Sequence, residues 1–375
     1  MILHLLNSEK VVERVVNLFN EALPLNNIFL IKRNGTYKIP ETPNVLVFEK
    51  IDELRTIDTS SVKVVIIHYL DEWKIDFLNT AKLKNVRVYW SIWGADMYNY
   101  LLEPLGYNIY ANPWKMGVFY LPKLFNRIRC RLGIIPSNRR KYIKFIKYHV
   151  SCLKTSSEEY SIQKKYLGNN LTESYIEHPY NIYYTLEDIL GESLMKSSVC
   201  GNDIMIGNSA SYSNNHFYAF KALSKFNIEG RKVICPLSYG TNNYYKRKIV
   251  TSGIQSFGIN FRPLLDFMSL DSYNQVMLNC SIFIYANWRQ EAVGNILVAL
   301  YLGAKVFLSK ESPLLYKFKR EGLIVFCLED ITQYDIDTPL TLTERSNNKA
   351  ILCRMISHNA IIKGIRNVWG NKVDY

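Results

Sequence analysis

Residues 62–70, VKVVIIHYL, place Val64, Val65, Ile66 and Ile67 in succession. A strand covered on one face alternates apolar with polar residues, whereas this run is apolar on both, so it belongs inside a sheet flanked by helices on either side. Similar runs recur at 1–6, 27–32, 44–48 and 86–93, separated by helical patterns at 9–23, which stops at Pro24, and at 73–83. Strands alternating with helices across short loops predict a parallel, doubly wound α/β sheet, which takes ligands at the carboxyl ends of its strands. Further strands are expected at 149–153 and 175–180, with a helix starting at Glu158 between them. The alternation restarts at Asp203, with strands at 204–206, 232–237, 281–286 and 304–308 and helices at 244–253, 269–279 and 296–302. Between the two series, residues 181–202 have no strong pattern and contain Gly191, Ser193, Ser197, Ser198 and Gly201, which marks them as an interdomain linker. Two domains are expected, 1–185 and 203–345, with a helical tail in 346–375 that packs back on the first.

With 375 residues the chain is long for one core, and its 48% hydrophobic content excludes a disordered chain. Seven cysteines are scattered without a CxxC pair, so they are expected as buried thiols, forming neither a zinc site nor a disulfide framework. The opening MILHLLNSEK turns polar too soon for a signal peptide, and no stretch approaches 18 uncharged apolar residues. A cytoplasmic location is expected.

The net charge of +13 is concentrated in one segment. No acidic residue lies between Glu103 and Glu158, while Lys123, Arg127, Arg131, Arg139, Arg140 and Lys141 fall within it among other cations. Leu121, Leu124, Phe125, Ile128 and Leu132 share a helical face, with Lys123, Arg127, Arg129 and Arg131 mostly turned away from it. Prolines 122 and 136 divide the stretch into two shorter helices. A basic amphipathic helix of this kind suits an anionic bilayer surface. Nucleic acid is the competing anion, and a solvated helix resting its stripe on the core is the plainest alternative.

Two kinds of loop carry chemistry. In 203–221, DIMIGNSASYSNNHFYAFK, a strand gives way at Gly207 to Asn and Ser, and then to a helix. Backbone amides, hydroxyls and side-chain amides at a helix start suit a phosphate, and Ser213 or Asn214 also suits a plain N-cap. His216 at that helix start is either a phosphate donor or an incidental polar residue. The second kind is WSIWGAD, 90–96, where Asp96 after a strand and a glycine is placed to deprotonate a hydroxyl or to cap the next helix. The DID at 335–337 mimics a metal-binding DxD motif but lies outside any nucleotide-binding half, so no metal site is assigned to it.

GNSASYSNNH, PLSYG with its following asparagines, ANWRQEAVGN, LGAKVFLSKESP and WSIWGADMY together resemble the bacterial TDP-N-acetylfucosamine:lipid II N-acetylfucosaminyltransferases, the 4-alpha-L-fucosyltransferases of glycosyltransferase family 56. The resemblance spans roughly residues 65 to 330. It implies a GT-B architecture of two doubly wound Rossmann-like domains facing across a cleft, an N-terminal acceptor domain and a C-terminal nucleotide-sugar domain. It also implies transfer of a 4-acetamido-4,6-dideoxyhexose from TDP to an undecaprenyl-diphosphate-linked saccharide, as in enterobacterial common antigen. A polyprenyl acceptor fits the basic segment, and with it a peripheral location on the cytoplasmic face of the bacterial inner membrane, without nucleic acid as a partner. A related O-antigen or capsule transferase using another nucleotide sugar is the alternative, because the loop after His68 carries Leu70, Asp71 and Glu72 in place of small polar residues.

In such an enzyme, without metal or cofactor, the diphosphate leaves onto helix N-termini, amides and cations. Asn208, Ser209, Ser213, Asn214, Asn215 and His216 supply one such turn, and Gly294 with Asn295 another. Arg289 and Arg262 are the expected cations near the diphosphate, Arg289 being equally acceptable as a rim charge. Glu291 is expected to bind sugar or ribose hydroxyls, and Tyr239 to contact the thymine. Asp96, and after it His68, is expected to activate the acceptor.

Overall fold

A computed structural model describes residues 1–372 apart from Thr36, Lys82 and Glu229, and of Thr56 the backbone only. The chain begins β1 (Ile2–Asn7), α1 (Val12–Ala22), β2 (Asn27–Lys32), β3 (Val45–Phe48), β4 (Val64–His68), α2 (Glu72–Thr80) and β5 (Arg87–Ser91). After a π-helical turn at Ala95–Leu102 come α3 (Leu121–Arg131), α4 (Ser137–His149), β6 (Cys152–Lys154), α5 (Ser157–Leu167), β7 (Tyr175–Ile176) and α6 (Leu186–Met195). Next are β8 (Asp203–Ile206), α7 (His216–Leu223), β9 (Val233–Pro236), α8 (Asn243–Phe257), β10 (Phe261–Leu264), α9 (Leu270–Leu278), β11 (Cys280–Tyr285) and α10 (Val293–Tyr301). The chain ends with β12 (Lys305–Leu308), α11 (Pro313–Arg320), β13 (Phe326–Cys327), α12 (Gln333–Asp337), α13 (Leu342–Ile356) and α14 (His358–Trp369).

Every strand pairing is parallel, in two sheets ordered β3-β2-β1-β4-β5-β6-β7 and β10-β9-β8-β11-β12-β13. The doubly wound α/β architecture expected from the apolar runs is therefore borne out, and β4 is buried along its whole length. The chain folds as two compact units, one from residues 1–106, 129–188 and from Arg354 on, the other from 107–128 and 189–353. This corrects the assignment of the whole 104–150 segment to the N-terminal domain, because 107–128 pack with the second unit. It also corrects the linker: 186–195 form α6, whose Leu186, Leu190 and Leu194 are all buried. The four-residue apolar spacing was masked by Gly191, which kinks the helix at φ 63°.

In the first unit α14 packs on α1. Arg366 donates through Nε to the Ala22 carbonyl at 3.0 Å, and Trp369 is fully buried with its ring 5.5 Å from Phe19. Beneath them lies a polar chain inside the core. Asn27 donates through Nδ2 to the carbonyls of Phe19 and Leu23, so its Oδ1 is left to accept from His4 Nε2 at 3.2 Å. His4 Nδ1 then accepts from His68 Nε2 at 3.1 Å, which leaves His68 Nδ1 as a buried acceptor without a donor.

Burial pushes the pKa of His4 down to about 3, and holds His68 well below its ordinary value. In the second unit burial likewise pushes His216 down to about 3. These groups stay neutral in the fold but bind protons when unfolded, so their contribution is complete above about pH 6.5 and is lost as pH falls below it. Each group adds a slope of up to about 1.4 kcal/mol per pH unit in that window. Urea midpoints measured from pH 7 to pH 4 should therefore fall steadily; midpoints flat over that range would contradict neutral burial.

Candidate active site

In a doubly wound sheet the ligand crevice lies where the strand order reverses, which in the second sheet is between β8 and β11. The loops leaving these two strands meet there. Ser213, after β8, donates its hydroxyl to Glu291 Oε2 at 2.6 Å, after β11. Asn287 Nδ2 donates to the same oxygen at 2.8 Å, and the Arg289 Nη2 lies 3.1 Å from it. One carboxylate oxygen thus gathers three donors, while Oε1 has no partner among the described residues. Arg289 is 8% exposed, spends Nη1 on the Gln290 carbonyl at 2.8 Å, and keeps Nε buried and unpaired.

Immediately after this cluster α10 begins. Its cap is Ala292 in the left-handed region, φ 60°, with no side-chain hydrogen bond. The first helical bond closes from Ile296 N–H to the Ala292 carbonyl at 3.0 Å, so the amides of Val293, Gly294 and Asn295 precede the helical ladder. A Cβ at Gly294 would meet nothing within 4 Å, so the helix start has open space beside it. Uncommitted amides, the positive end of the helix dipole and a guanidinium nitrogen make an anion site.

The turn after β8 is built differently from its expected role. Gly207 has φ 70°, and a Cβ there would stand 2.8 Å from Asn214 Oδ1. That oxygen accepts from the Asn208 amide at 3.0 Å, while Asn214 Nδ2 donates to Ser209 Oγ at 3.2 Å. Asn215 donates to the carbonyls of Ile109 and Ala286 and accepts from the Ala111 amide. His216 is fully buried behind Gly207. The placement of Ser209, Asn214, Asn215 and His216 on the diphosphate is therefore corrected: Asn214 and Asn215 spend their side-chain donors closing and anchoring the turn, Ser209 Oγ accepts from Asn214, and His216 is enclosed with neither ring nitrogen paired, so only Ser213 reaches the Arg289–Glu291 cluster. Asn208 Nδ2 donates to the Tyr239 hydroxyl at 3.4 Å, with Tyr239 half-exposed beside it. Arg262 is also corrected, because its Nη1 donates to the Ile259 and Phe261 carbonyls at the start of β10, the opposite end of the strand from the crevice. Asn287 was missed as a site residue, although it lies in the same ANWRQEAVGN turn.

In the first sheet the reversal falls between β1 and β4. Asp96 is 1% exposed and accepts four bonds, from the amides of Leu70, Trp93 and Met97 and from Trp90 Nε1, all between 2.9 and 3.1 Å. Burial pushes its carboxyl up, and these donors oppose the shift. A carboxylate so enclosed has no direction left for a hydroxyl, so the structure corrects its expected role from acceptor activation to joining the loops after β4 and β5. His68 is corrected too, being sealed in the His4–Asn27 chain.

Sequence reasoning missed the groups that do line this reversal. Lys74 is buried, donating to the carbonyls of His68 and Tyr69 at 2.8 and 2.6 Å and lying 3.3 Å from Asp71 Oδ2. Tyr69, whose carbonyl it binds, has φ 63°. Asp71 Oδ2 also accepts from Asn7 Nδ2 at 2.5 Å, and its Oδ1 is buried without a partner. Such a network leaves no pattern in a single sequence.

The basic segment forms two helices, α3 and α4. None of the α3 residues is buried; Phe125 is 64% exposed, and Trp114 and Leu132 on either side of the helix are 77% and 71% exposed. Lys123 lies over the Tyr110 ring at 5.3 Å and Arg127 donates to the Tyr120 hydroxyl, while Arg131 and Arg140 are exposed. Two of the expected surface cations are corrected. Arg139 is buried, donating to the Tyr100 carbonyl at 2.9 Å, and Lys141 is neutralised by Asp76 at 2.5 Å and Glu72 at 3.4 Å. Among the described residues no helix is long and apolar enough to cross a membrane, and no group of three His, Cys, Asp or Glu could hold a metal. Asp335 closes a capping box with Thr332 and pairs with Lys305.

Solved structures share this fold over the whole chain. HepE from Anabaena, in complex with UDP, is 14% identical over 99% of each chain with a TM-score of 0.63. A glycosyltransferase from Rickettsia africae is 12% identical over 99% of this chain and 98% of that one, with a TM-score of 0.61. An alpha,alpha-trehalose 6-phosphate synthase from Burkholderia multivorans is 8% identical over 100% and 96%, also at 0.61. The fold is that of the GT-B glycosyltransferases, and together with the family match that follows it makes the chain a glycosyltransferase. Within that class, residues 188–343 match the family described as 4-alpha-L-fucosyltransferase, glycosyl transferase group 56, which bears out the resemblance seen in the sequence.

Proposed function

We propose that this glycosyltransferase moves a 4-acetamido-4,6-dideoxyhexose from TDP to an undecaprenyl-diphosphate-linked saccharide on the cytoplasmic face of a bacterial inner membrane, in the synthesis of a surface polysaccharide. The observation that carries the donor half is the uncommitted start of α10 beside Arg289 and Glu291, at the strand-order reversal of the second sheet. In this reading the diphosphate rests on the amides of 293–295 with Arg289 Nε beside it, which meets the charge of the departing nucleotide without a metal or cofactor. Glu291 Oε1 accepts from hydroxyls of the donor, and Tyr239 flanks the base. The group 56 match supports the sugar class.

The acceptor half is supported by α3, a helix with no buried residue, the apolar side chains of Leu121, Phe125 and Ile128 on its surface and cations among them. An anionic bilayer rewards both features, whereas duplex nucleic acid rewards the charge. Phe125→Glu combined with Ile128→Glu should abolish capture by vesicles of anionic phospholipid and leave the melting temperature within a degree or two. Capture that survives the double change would remove α3 from the membrane contact. The activity itself is tested by release of TDP from TDP-N-acetylfucosamine in the presence of a lipid-linked saccharide. Turnover with a UDP- or GDP-sugar alone would replace the donor and keep the transferase.

A further inference from the structure

We propose that Glu9 is the group that takes the proton from the acceptor hydroxyl during transfer, an inference that rests on the glycosyl-transfer reading above. The strand order of the first sheet reverses between β1 and β4, and Glu9 follows β1 by two residues, on the carboxyl side of that reversal. Of the carboxylates around it, Asp96 is committed through both oxygens and Asp71 through Oδ2. Asp96 accepts four bonds, and Asp71 holds Lys74 and Asn7. Glu9 is half-buried and its carboxylate makes no hydrogen bond or ion pair among the described residues. Two acceptor atoms at the same reversal are buried without a partner, the hydroxyl of Ser8 and Asp71 Oδ1. Unpaired buried oxygens are costly in a fold, and a polyhydroxy ligand supplies the donors that would pair them. Lys74 supplies a nearby positive charge fixed by two carbonyls.

Burial pushes the Glu9 carboxyl above the usual range; Lys74 pulls it back, and the charges of Asp71 and Asp96 push it up again. A carboxylate so placed is a better proton acceptor than an ordinary surface glutamate. In the step, the acceptor O–H proton passes to the Glu9 carboxylate and the freed oxygen bonds to the anomeric carbon. The bond from that carbon to the donor diphosphate breaks, its electron pair leaving on the diphosphate.

The test compares the wild-type protein with Glu9→Gln and Glu9→Asp in the TDP-release assay with a lipid-linked saccharide, across pH. Glu9→Gln should lower kcat about 10²- to 10⁴-fold, with KM, melting temperature and the thermal shift given by TDP unchanged. The acid limb of the pH–rate profile should be lost in that variant, while Glu9→Asp should keep part of the rate and the limb. Near-wild-type kcat in Glu9→Gln would overturn the assignment while leaving the transferase reading intact. A Glu9→Gln variant that loses activity together with its melting temperature would assign Glu9 to the fold and overturn it equally. A wild-type protein that turns over none of the nucleotide sugars would overturn the transferase reading, and this step with it.

Discussion

Asp96→Ala should cost about 3–5 kcal/mol, because it strands three backbone amides and an indole N–H in the core, each worth about 1–3 kcal/mol when left unpaired and partly relieved by relaxation. The amides of Leu70, Trp93 and Met97 and the Trp90 ring all lose the same acceptor. For a unit of this size the melting temperature should fall by roughly 10 °C. Asp96→Asn discriminates architecture from catalysis. The amide keeps one oxygen but turns an NH₂ toward two donors, so a structural Asp96 predicts a clear loss of stability in this variant as well. A catalytic Asp96 predicts an intact melting temperature with kcat abolished. Thermal melts of both variants with an activity measurement decide the matter, and a stable, inactive Asp96→Asn would restore the role expected from the sequence.

Arg289→Ala should weaken nucleotide binding about 100-fold, close to 2.7 kcal/mol. The guanidinium bridges Glu291 and the Gln290 carbonyl, and its Nε, at the α10 start, is buried without a partner among the described residues. Its removal leaves Glu291 as a largely enclosed carboxylate held only by Ser213 and Asn287, and breaking an enclosed pair from one side is costly. A fall of several degrees in melting temperature should accompany the loss of affinity. Arg289→Lys should not rescue binding, because an ammonium cannot fork between Glu291 and a carbonyl while offering a third donor. Isothermal titration of TDP against the three proteins measures this, and an Arg289→Ala variant with wild-type affinity would return Arg289 to the rim.

The alternation of apolar strands and helices was legible because β4 and its neighbours are buried on both faces and the residue types say so directly. The α6 helix was not, since three leucines four apart are a weak signal beside a glycine and several serines. Within the donor loops, Ser213, Arg289, Glu291 and Gly294 could be picked from local chemistry, and the fold brings them together. Asn214, Asn215 and His216 carry the same chemistry yet face inward. A sequence shows which donors a turn possesses but not whether backbone carbonyls already occupy them, and that is decided by the φ of Gly207 and Asn215 and by segments more than 70 residues away. Asp96 failed for the same reason, with Leu70 and Trp90 as its hidden partners. Glu9 went unnoticed because a glutamate ahead of a helix reads as an ordinary first-turn acid, and its isolation is visible only once Asp71 and Lys74 are seen to be paired with each other.

The account stands on a diphosphate resting at the start of α10, and Gly294 offers the most direct trial of it. A methyl group there meets no protein atom and exchanges glycine for the best helix former, so Gly294→Ala should match or exceed the wild-type melting temperature without ligand. The added carbon would occupy the space a phosphate needs. Melting both proteins with TDP, UDP, GDP and ADP at saturating concentration compares stabilities that rise by mass action, by about 2.7 kcal/mol at one hundred times Kd. The account predicts a shift for the wild-type protein that is largest with TDP and that shrinks or vanishes in Gly294→Ala. An equal shift in the two proteins, or none with any nucleotide, would contradict it.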